Sequence, residues 1–191
     1  MPEIVLASQS PRRQELLHHA FFSFMTVPSD ADETLPAGLP PADCAVEIAR
    51  RKVTDVSSRV APGSLIIGAD TIVVCDGRIL GKPLSEPEAR EMLTLLSGRT
   101  HTVYTGLVIR QGERELSGCE ATDVTFRSLT PGMIAAYIAT GEPMDKAGAY
   151  GIQEKGAFLV ERIEGDYFNV VGLPLCRLGK MLEQLGVALL S

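Results

Sequence analysis

The sequence contains no tryptophan, and aromatic residues account for only 5% of it. A core without many large rings has to be built mainly from valine, isoleucine, leucine and alanine, and hydrophobic residues make up 45% of the chain. No apolar stretch approaches the length that a membrane-spanning helix needs. The N-terminus also lacks a basic segment followed by a long apolar run. We therefore expect a cytoplasmic protein without a signal peptide or a membrane span.

The cysteines form no recognisable metal or redox motif. Cys44, Cys75, Cys119 and Cys176 include no CxxC pair and have no zinc-type spacing with any of the three histidines. Scattered cysteines of this kind are typical of free thiols in a reducing compartment.

Acidic residues outnumber basic ones, and the net charge is −6 with a pI of about 5.1. This balance disfavours a general nucleic-acid binder or a protein that docks on acidic membranes. Motifs of covalent hydrolases and Walker-type nucleotide binders are absent: there is no nucleophile elbow, no Walker loop, no HExxH and no Ser-His-Asp order. What remains is a set of carboxylates with scattered arginines and lysines, which suits a divalent metal, a polyphosphate and a water nucleophile.

The hydrophobic pattern predicts an α/β or α+β fold with a long mixed sheet flanked by helices. At 191 residues the chain can form one large domain or two small lobes. Strands and helices alternate early, with a short strand that begins at residue 4, a second strand at 22–27 and a helix over 44–60. Hairpins dominate later, one over 100–129 and another around Glu164 and Gly165. Further helices are predicted at 85–98, 130–140 and 173–185.

The segment 4–17 reads IVLASQSPRRQELL, a short strand followed by an amphipathic helix. Pro11 suits the first helical turn and Ser10 is a natural N-cap. A helix N-terminus binds anions, and the neighbouring Arg12 and Arg13 match phosphate oxygens. The competing interpretation is a capped surface helix whose two arginines are solvated.

Asp70 is the most informative acidic residue, because it interrupts the apolar run LIIGADTIVV. A buried carboxylate is costly unless a cation, a metal or hydrogen-bond donors lie nearby. The alternative is a strand bulge or turn beside Gly68.

Each of the other candidate residues also fits an ordinary structural role. Lys52 lies in a predicted helix, where the adjacent Arg50 and Arg51 are interpreted as solvated residues of its outer face. Lys82 follows a strand in GKP, and Glu33 belongs to an acidic loop; both also fit ordinary solvated surface residues. Gln153 ends the Gly-rich segment DKAGAYGIQ, whose glycines allow close approach to a ligand but also suit a plain connection.

These segments together resemble one known family. LASQSPRRQELL, GADTIVVCDGRILGKP, LSGRTHTVYTGL, DKAGAYGIQ and GDYFNVVGLPL follow in this order along nearly the whole chain. The chain thereby resembles the Maf-type nucleoside triphosphate pyrophosphatases. The resemblance implies a single Maf-type domain over 1–191 with a Maf/Ham1-like α/β fold, a long mixed twisted sheet and two lobes around a central cleft.

The resemblance also implies hydrolysis between the α- and β-phosphates with Mg²⁺ or Mn²⁺, a nucleoside triphosphate as partner, and a homodimer. Asp70 would be the general base and would share the metal with Glu33. The implied substrate-binding residues are Ser8, Arg12, Arg13, Lys52, Thr71, Lys82 and Gln153.

Within the family, Arg12, Thr71 and Gln153 are similar to the branch that acts on dTTP and UTP, including modified pyrimidine nucleotides. The branch that acts on 7-methyl-GTP carries a GSDQ-like motif where this chain has GADT. Two alternatives stay open: the 7-methyl-GTP specificity, and inhibition of septum formation through binding of a division protein.

Overall fold

The computed structural model describes residues 2–21 and 23–189. Its strands are β1 Ile4–Leu6, β2 Met25–Thr26, β3 Leu65–Cys75, β4 Arg78–Leu80, β5 Thr100–Gln111, β6 Arg114–Phe126 and β7 Val160–Glu164. Its α-helices are α1 Pro11–His18, α2 Pro41–Ser57, α3 Glu86–Leu96, α4 Pro131–Ile138, α5 Tyr167–Val171 and α6 Leu175–Gln184. Short 3₁₀ segments occupy much of the stretch between α4 and β7.

Within these residues the strands form one seven-stranded mixed sheet in the order β2-β1-β3-β5-β6-β7, with β4 also paired to β3. β1 runs parallel to β2 and to β3, whereas β4 and β7 run antiparallel to β3 and β6. β5 and β6 are joined through residues 112–113 and form the predicted long hairpin. The predicted α/β fold with a mixed, long-stranded sheet is therefore confirmed.

Contacts divide the chain into two compact units. The first unit contains the described residues of Met1–Asp70, Thr105–Glu120 and Gly172–Ser191, and the second contains Thr71–Tyr104 and Ala121–Val171. β3, β5 and β6 each contribute residues to both units. The expected cleft stays a prediction.

In the first unit, α2 lies directly against the sheet on a core of small aliphatic side chains. Val5, Ala49, Val53, Ile66 and Val108 belong to this core. The close approach depends on two glycines of the strands. A Cβ at Gly68 would lie 2.5 Å from the Val53 side chain, and a Cβ at Gly106 would lie 2.2 Å from the backbone of Ala45. The core is thus built from aliphatic residues, as the lack of tryptophan predicts.

In the second unit, several of the few aromatic side chains gather around a histidine. The rings of His101, Phe126 and Tyr150 contact one another edge to face, with centroids 4.7–5.3 Å apart. His101 Nε2 and the Tyr150 hydroxyl are 2.8 Å apart. Within the described part of the chain, Nδ1 of His101 has no hydrogen-bond partner. This ring is therefore part of a core, the ordinary role of a lone strand histidine.

Two local predictions were wrong or incomplete. The second hairpin around Gly165 does not form, because α5 follows β7. The Asp166 carboxylate accepts a hydrogen bond from Phe168 N and caps that helix, while the buried Asn169 amide donates to Val103 O and Thr122 Oγ1. The strand predicted over 22–27 is limited to Met25–Thr26, and residue 22 lies outside the described residues.

The remaining helix predictions agree with the structure. Ser10 caps α1 through its side chain, as its sequence position predicts, and Ser85 and Thr130 cap α3 and α4 in the same way. The four cysteines are free in the described residues. No helix there is long and apolar enough to cross a membrane.

His101 generates a prediction on pH-dependent stability. Burial lowers the pKa of His101 to about 4, with the charge of Asp123 opposing this shift, against an ordinary value of 6.5. The folded-state pKa lies below the unfolded one, so the unfolded chain binds the proton first as the pH falls. The stabilisation is complete above pH 6.5 and is lost progressively down to about pH 4, a change of about 3 kcal/mol.

We therefore expect His101→Gln to lose about 3 kcal/mol less of its free energy of unfolding between pH 7 and pH 4 than the wild type does. Glutamine keeps a polar partner for the Tyr150 hydroxyl but does not titrate. Urea unfolding at the two pH values measures the difference, and His19→Gln, at an exposed position, should behave as wild type. A pH dependence of stability in His101→Gln equal to that of the wild type would contradict the lowered pKa of His101.

Candidate active site

The loop between β1 and α1 is held by a buried serine and a buried arginine. Ser8 Oγ accepts hydrogen bonds from Ser10 N at 3.2 Å and from Arg13 Nη1 at 3.4 Å. Arg13 Nε donates to the carbonyl of Gly172 at 2.8 Å. Both side chains are nearly inaccessible to solvent. Arg13 thus ties the start of α1 to residue 172 rather than lying in solvent, and the solvated interpretation fails for it.

The charge of Arg13 is part of a larger electrostatic cluster. Burial lowers the pKa of the Arg13 guanidinium, and the charges of Asp70 and Glu33 oppose that shift while Arg12 adds to it. An arginine remains protonated throughout the physiological range. Arg12 itself is half-buried. The two arginines in the first turn of α1 and the two acidic candidates therefore belong to one charged region of the first unit.

Asp70 forms a buried ion pair with Lys52. The Lys52 ammonium, on α2, lies 2.7 Å from Asp70 Oδ1, on β3. The two side chains are only 7% and 12% exposed. β3 continues through this position from Leu65 to Cys75, so the alternative of a turn beside Gly68 is wrong, and that of a bulge is not tested. Gly68 instead lets α2 approach closely, and the pairing cation that a buried carboxylate requires is present.

A second carboxylate contacts the same ammonium. Glu33 Oε1 lies 2.8 Å from Lys52 Nζ, and the Glu33 side chain is 52% exposed. The two carboxylates therefore meet at one lysine, one buried and one facing solvent. Within the described residues there is no group of three or more potential metal-binding side chains. The chemistry of this donor set fits Mg²⁺, which proteins commonly bind through one or two carboxylates plus substrate phosphates.

The first unit thus brings together most of the predicted site residues. Ser8, Arg13, Glu33, Lys52 and Asp70 are linked by direct contacts or by electrostatics, and Arg12 acts on the Arg13 guanidinium. Thr71, Lys82 and Gln153 belong to the second unit. Thr71 is half-buried in β3, and Lys82 is exposed after β4.

Gln153 lies in a loop of the second unit that is organised around Glu142. The Glu142 carboxylate accepts hydrogen bonds from the Tyr137 hydroxyl at 2.9 Å, from Lys155 N at 3.2 Å and from Gly156 N at 3.1 Å. Gly151 N donates to the same hydroxyl at 3.1 Å. Burial raises the pKa of Tyr137, which keeps its phenol neutral and able to donate. The backbone on both sides of Gln153 is therefore fixed by one buried hydroxyl and one carboxylate.

Sequence reasoning missed Glu142 and the role of Arg51. Arg51 was expected to be solvated, but its Nη1 donates to the carbonyls of Asp32 and Thr34, which flank Glu33. The available signal was the Asp-x-Thr spacing around Glu33, which is typical of a side-chain-capped turn. Glu142 gave no local signal, because its partners lie 5 to 14 residues away in the sequence.

The Lys52–Asp70 pair predicts a specific pattern of stability changes. Lys52→Met leaves a buried carboxylate without its cation, and we expect the free energy of unfolding to fall by about 3 kcal/mol. Adding Asp70→Asn in that background should recover most of the loss, since a neutral amide is cheaper to bury. Urea unfolding of both variants tests this, with Lys180→Met at an exposed position of α6 as the control. Additive losses in the double variant would contradict the pairing.

The Glu142 contacts predict the behaviour of the Gln153 loop. Glu142→Ala removes the acceptor of three donors, and we expect a loss of about 2 kcal/mol in the free energy of unfolding. Amide hydrogen exchange over residues 151–156 should become faster at the same time. Glu161→Ala, at an exposed position of β7, is the control and should leave both quantities unchanged. Unaltered exchange over 151–156 in Glu142→Ala would show that the loop is held by other contacts.

Comparison with known proteins identifies relatives along the whole described chain. The chain is 53% identical to a protein of Moorella thermoacetica named dTTP/UTP pyrophosphatase, over 98% of this chain and 97% of that one. It is 53% identical to a protein of the same name from Thermococcus gammatolerans, over 98% and 99%, and 49% identical to one from Bacillus pumilus, over 98% of each. The Ham1 protein of Staphylococcus aureus has a similar fold, with a TM-score of 0.56 at 15% identity over 96% of this chain and 99% of that one. The family described as Maf-like protein matches residues 3–185, and the chain therefore belongs to the Maf family.

Proposed function

We propose that this protein is a nucleoside triphosphate pyrophosphatase that converts dTTP and UTP to the monophosphate and pyrophosphate. The observation that carries the proposal is the buried Asp70 carboxylate, held 2.7 Å from Lys52 Nζ with Glu33 on the same ammonium. The names of the relatives, dTTP/UTP pyrophosphatase, support the reaction and the substrates.

Asp70 acts as the general base in this proposal. The contact with Lys52 fixes the carboxylate through Oδ1, and the side chain retains some exposure through which a water can reach it. The Asp70 carboxylate takes a proton from that water, and the water oxygen forms a bond to the α-phosphorus. The P–O bond between the α- and β-phosphates breaks, and its electron pair leaves with pyrophosphate. Catalysis of this kind depends mainly on positioning and on neutralising charge.

The cations divide into two roles. Arg13 is held by Ser8 and Gly172, so it contributes a fixed positive charge and orients α1. Arg12 and Lys82 retain exposure and would contact the phosphates, while Lys52 would neutralise charge beside the base. An acidic protein can in this way bind a triphosphate with locally concentrated cations.

Glu33 and Asp70 would hold a divalent cation, Mg²⁺ or Mn²⁺, together with oxygens of the triphosphate. When bound, the cation would neutralise charge on the phosphates and on the pyrophosphate leaving group. The Glu33 side chain is half exposed, so its carboxylate is accessible to a cation from solvent. The buried Asp70 supplies the second one.

Specificity for pyrimidine nucleotides is assigned to Arg12, Thr71 and Gln153. Gln153 carries an amide that can both donate and accept hydrogen bonds, as recognition of a uracil or thymine edge requires. The Glu142 contacts restrict the backbone beside Gln153, so the amide is presented from a fixed loop. Modified pyrimidine nucleotides that keep the same edge would also be substrates.

A pyrophosphate-release assay with Mg²⁺ tests the proposal on dTTP, UTP, CTP and 7-methyl-GTP. We expect release from dTTP and UTP, and a fall in kcat of about 10²–10⁴-fold for Asp70→Asn with a small change in KM. Asp123→Asn is a matched control, because Asp123 is an exposed strand aspartate that accepts a hydrogen bond from Thr102 Oγ1.

The outcomes separate the competing functions. Preference for 7-methyl-GTP would overturn the pyrimidine assignment while keeping the enzyme class. No release from any nucleotide would overturn the enzyme proposal and favour inhibition of septum formation through protein binding, whereas an unchanged rate in Asp70→Asn would overturn the role of Asp70 as general base.

We also propose a cytoplasmic location, which the free cysteines support, and a homodimer, which the resemblance to the family implies. Light scattering of the purified protein measures the assembly, and a mass of one chain would contradict the dimer.

A further inference from the structure

The loop that carries Glu33 is a tight turn held by its neighbours. Asp32 Oδ1 accepts hydrogen bonds from Thr34 N at 2.9 Å and from Thr34 Oγ1 at 2.6 Å. Glu33 therefore lies at the centre of a closed turn, and its carboxylate direction depends on how this turn is anchored to the rest of the unit.

Arg51 anchors the turn to α2. Its Nη1 donates to Asp32 O at 3.2 Å and to Thr34 O at 2.8 Å, one carbonyl on each side of Glu33. Arg51 also lies 3.6 Å from Glu47 Oε1, one helical turn earlier. The planar guanidinium holds both carbonyls from one group, which a flexible ammonium does less well.

The next residue of the helix completes the arrangement. Lys52 Nζ contacts the Glu33 carboxylate at 2.8 Å, so consecutive residues of α2 hold the backbone and the side chain of the same turn. One turn later, Asp55 Oδ2 accepts from Ser29 Oγ at 3.0 Å and from Asp30 N at 2.9 Å. The whole loop is thus docked along one helix.

We propose that Arg51 is a positioning residue that fixes the Glu33 carboxylate for the divalent cation; this rests on the proposed function of Glu33. Glu33 is 52% exposed, so packing does not confine its side chain. The anchoring of its backbone therefore decides how much of the time the carboxylate lies beside Lys52. Without Arg51 the turn keeps its internal hydrogen bonds but loses its tether on both sides of Glu33.

The test compares Arg51→Ala with Arg50→Ala. Arg50 is the adjacent arginine of the same helix and also contacts Glu47, but its other partners are Glu115 and Ser117 rather than the loop. The readouts are kcat/KM for UTP and the Kd of Mn²⁺ in the presence of a UTP analogue with a non-hydrolysable α–β bridge. We expect Arg51→Ala to weaken Mn²⁺ binding and to lower kcat/KM by about tenfold, and Arg50→Ala to change each less than about twofold.

A double-mutant cycle with Glu33→Gln separates positioning from a general structural role. If Arg51 acts through Glu33, its substitution should change the Mn²⁺ Kd less than about twofold once the carboxylate is gone. Fully additive effects, or equal effects of the Arg50 and Arg51 substitutions, would overturn the inference. Arg51→Lys restores the charge without the planar fork, and we expect it to recover only part of the loss.

Failure of the inference and failure of the proposed function give different results. If the wild type releases pyrophosphate and Glu33→Gln weakens Mn²⁺ binding while Arg51→Ala does not, only the role of Arg51 is overturned. If the wild type is inactive, the proposed function fails, and hydrogen exchange then decides on Arg51. Faster exchange over residues 31–34 in Arg51→Ala but not in Arg50→Ala supports the positioning role, and equal exchange overturns it.

Discussion

The close contact between α2 and β3 is the constraint on which the candidate site depends. Lys52 reaches Asp70 at 2.7 Å because the helix lies almost directly on the strand. That approach is possible only where the strands carry no side chain, at Gly68 and Gly106. A methyl group at either position would lie 2.2–2.5 Å from atoms of the helix, well inside van der Waals contact, so the helix would have to move. The ion pair and the packing of small aliphatic residues beneath α2 are consequences of the same approach.

In the proposed function, this arrangement would allow an acidic chain to bind an anionic substrate. Burial makes a single charge expensive, so Asp70 and Arg13 each require partners inside the first unit. Lys52 serves Asp70 directly, and Ser8 with Gly172 accepts hydrogen bonds from Arg13. The charges are therefore fixed by contacts within the protein before any substrate arrives. Preorganised charge of this kind needs little rearrangement during the reaction, which is its main advantage for phosphoryl transfer.

Local signals predicted much of this structure, and long-range contacts account for what was missed. The cap of α1 by Ser10 was predicted correctly, because capping needs only neighbouring residues. Asp70 was identifiable because a charge inside an apolar strand demands a partner. The stretch after β7 was predicted wrongly as a hairpin strand, because the buried amide of Asn169 is satisfied by Val103 and Thr122, far away in the sequence. The Arg51 contacts were missed for the same reason, since nothing beside Arg51 in the sequence points to residues 32 and 34.

The loop of Gln153 shows how the second unit maintains an unfavourable backbone conformation. Ala149 and Glu154 have φ values of 60° and 46°, a left-handed region that costs a non-glycine residue about 1–2 kcal/mol. Hydrogen bonds offset that cost: Ala149 N donates to Lys146 O, and Glu142 accepts from the two amides that follow Glu154. The two strained residues lie on either side of the half-buried Gln153, and the Glu142 carboxylate holds this segment. The need to place the Gln153 amide explains the strain better than chain connection alone does. A binding role of the DKAGAYGIQ segment, which stays a prediction, would give the strain at both positions a function.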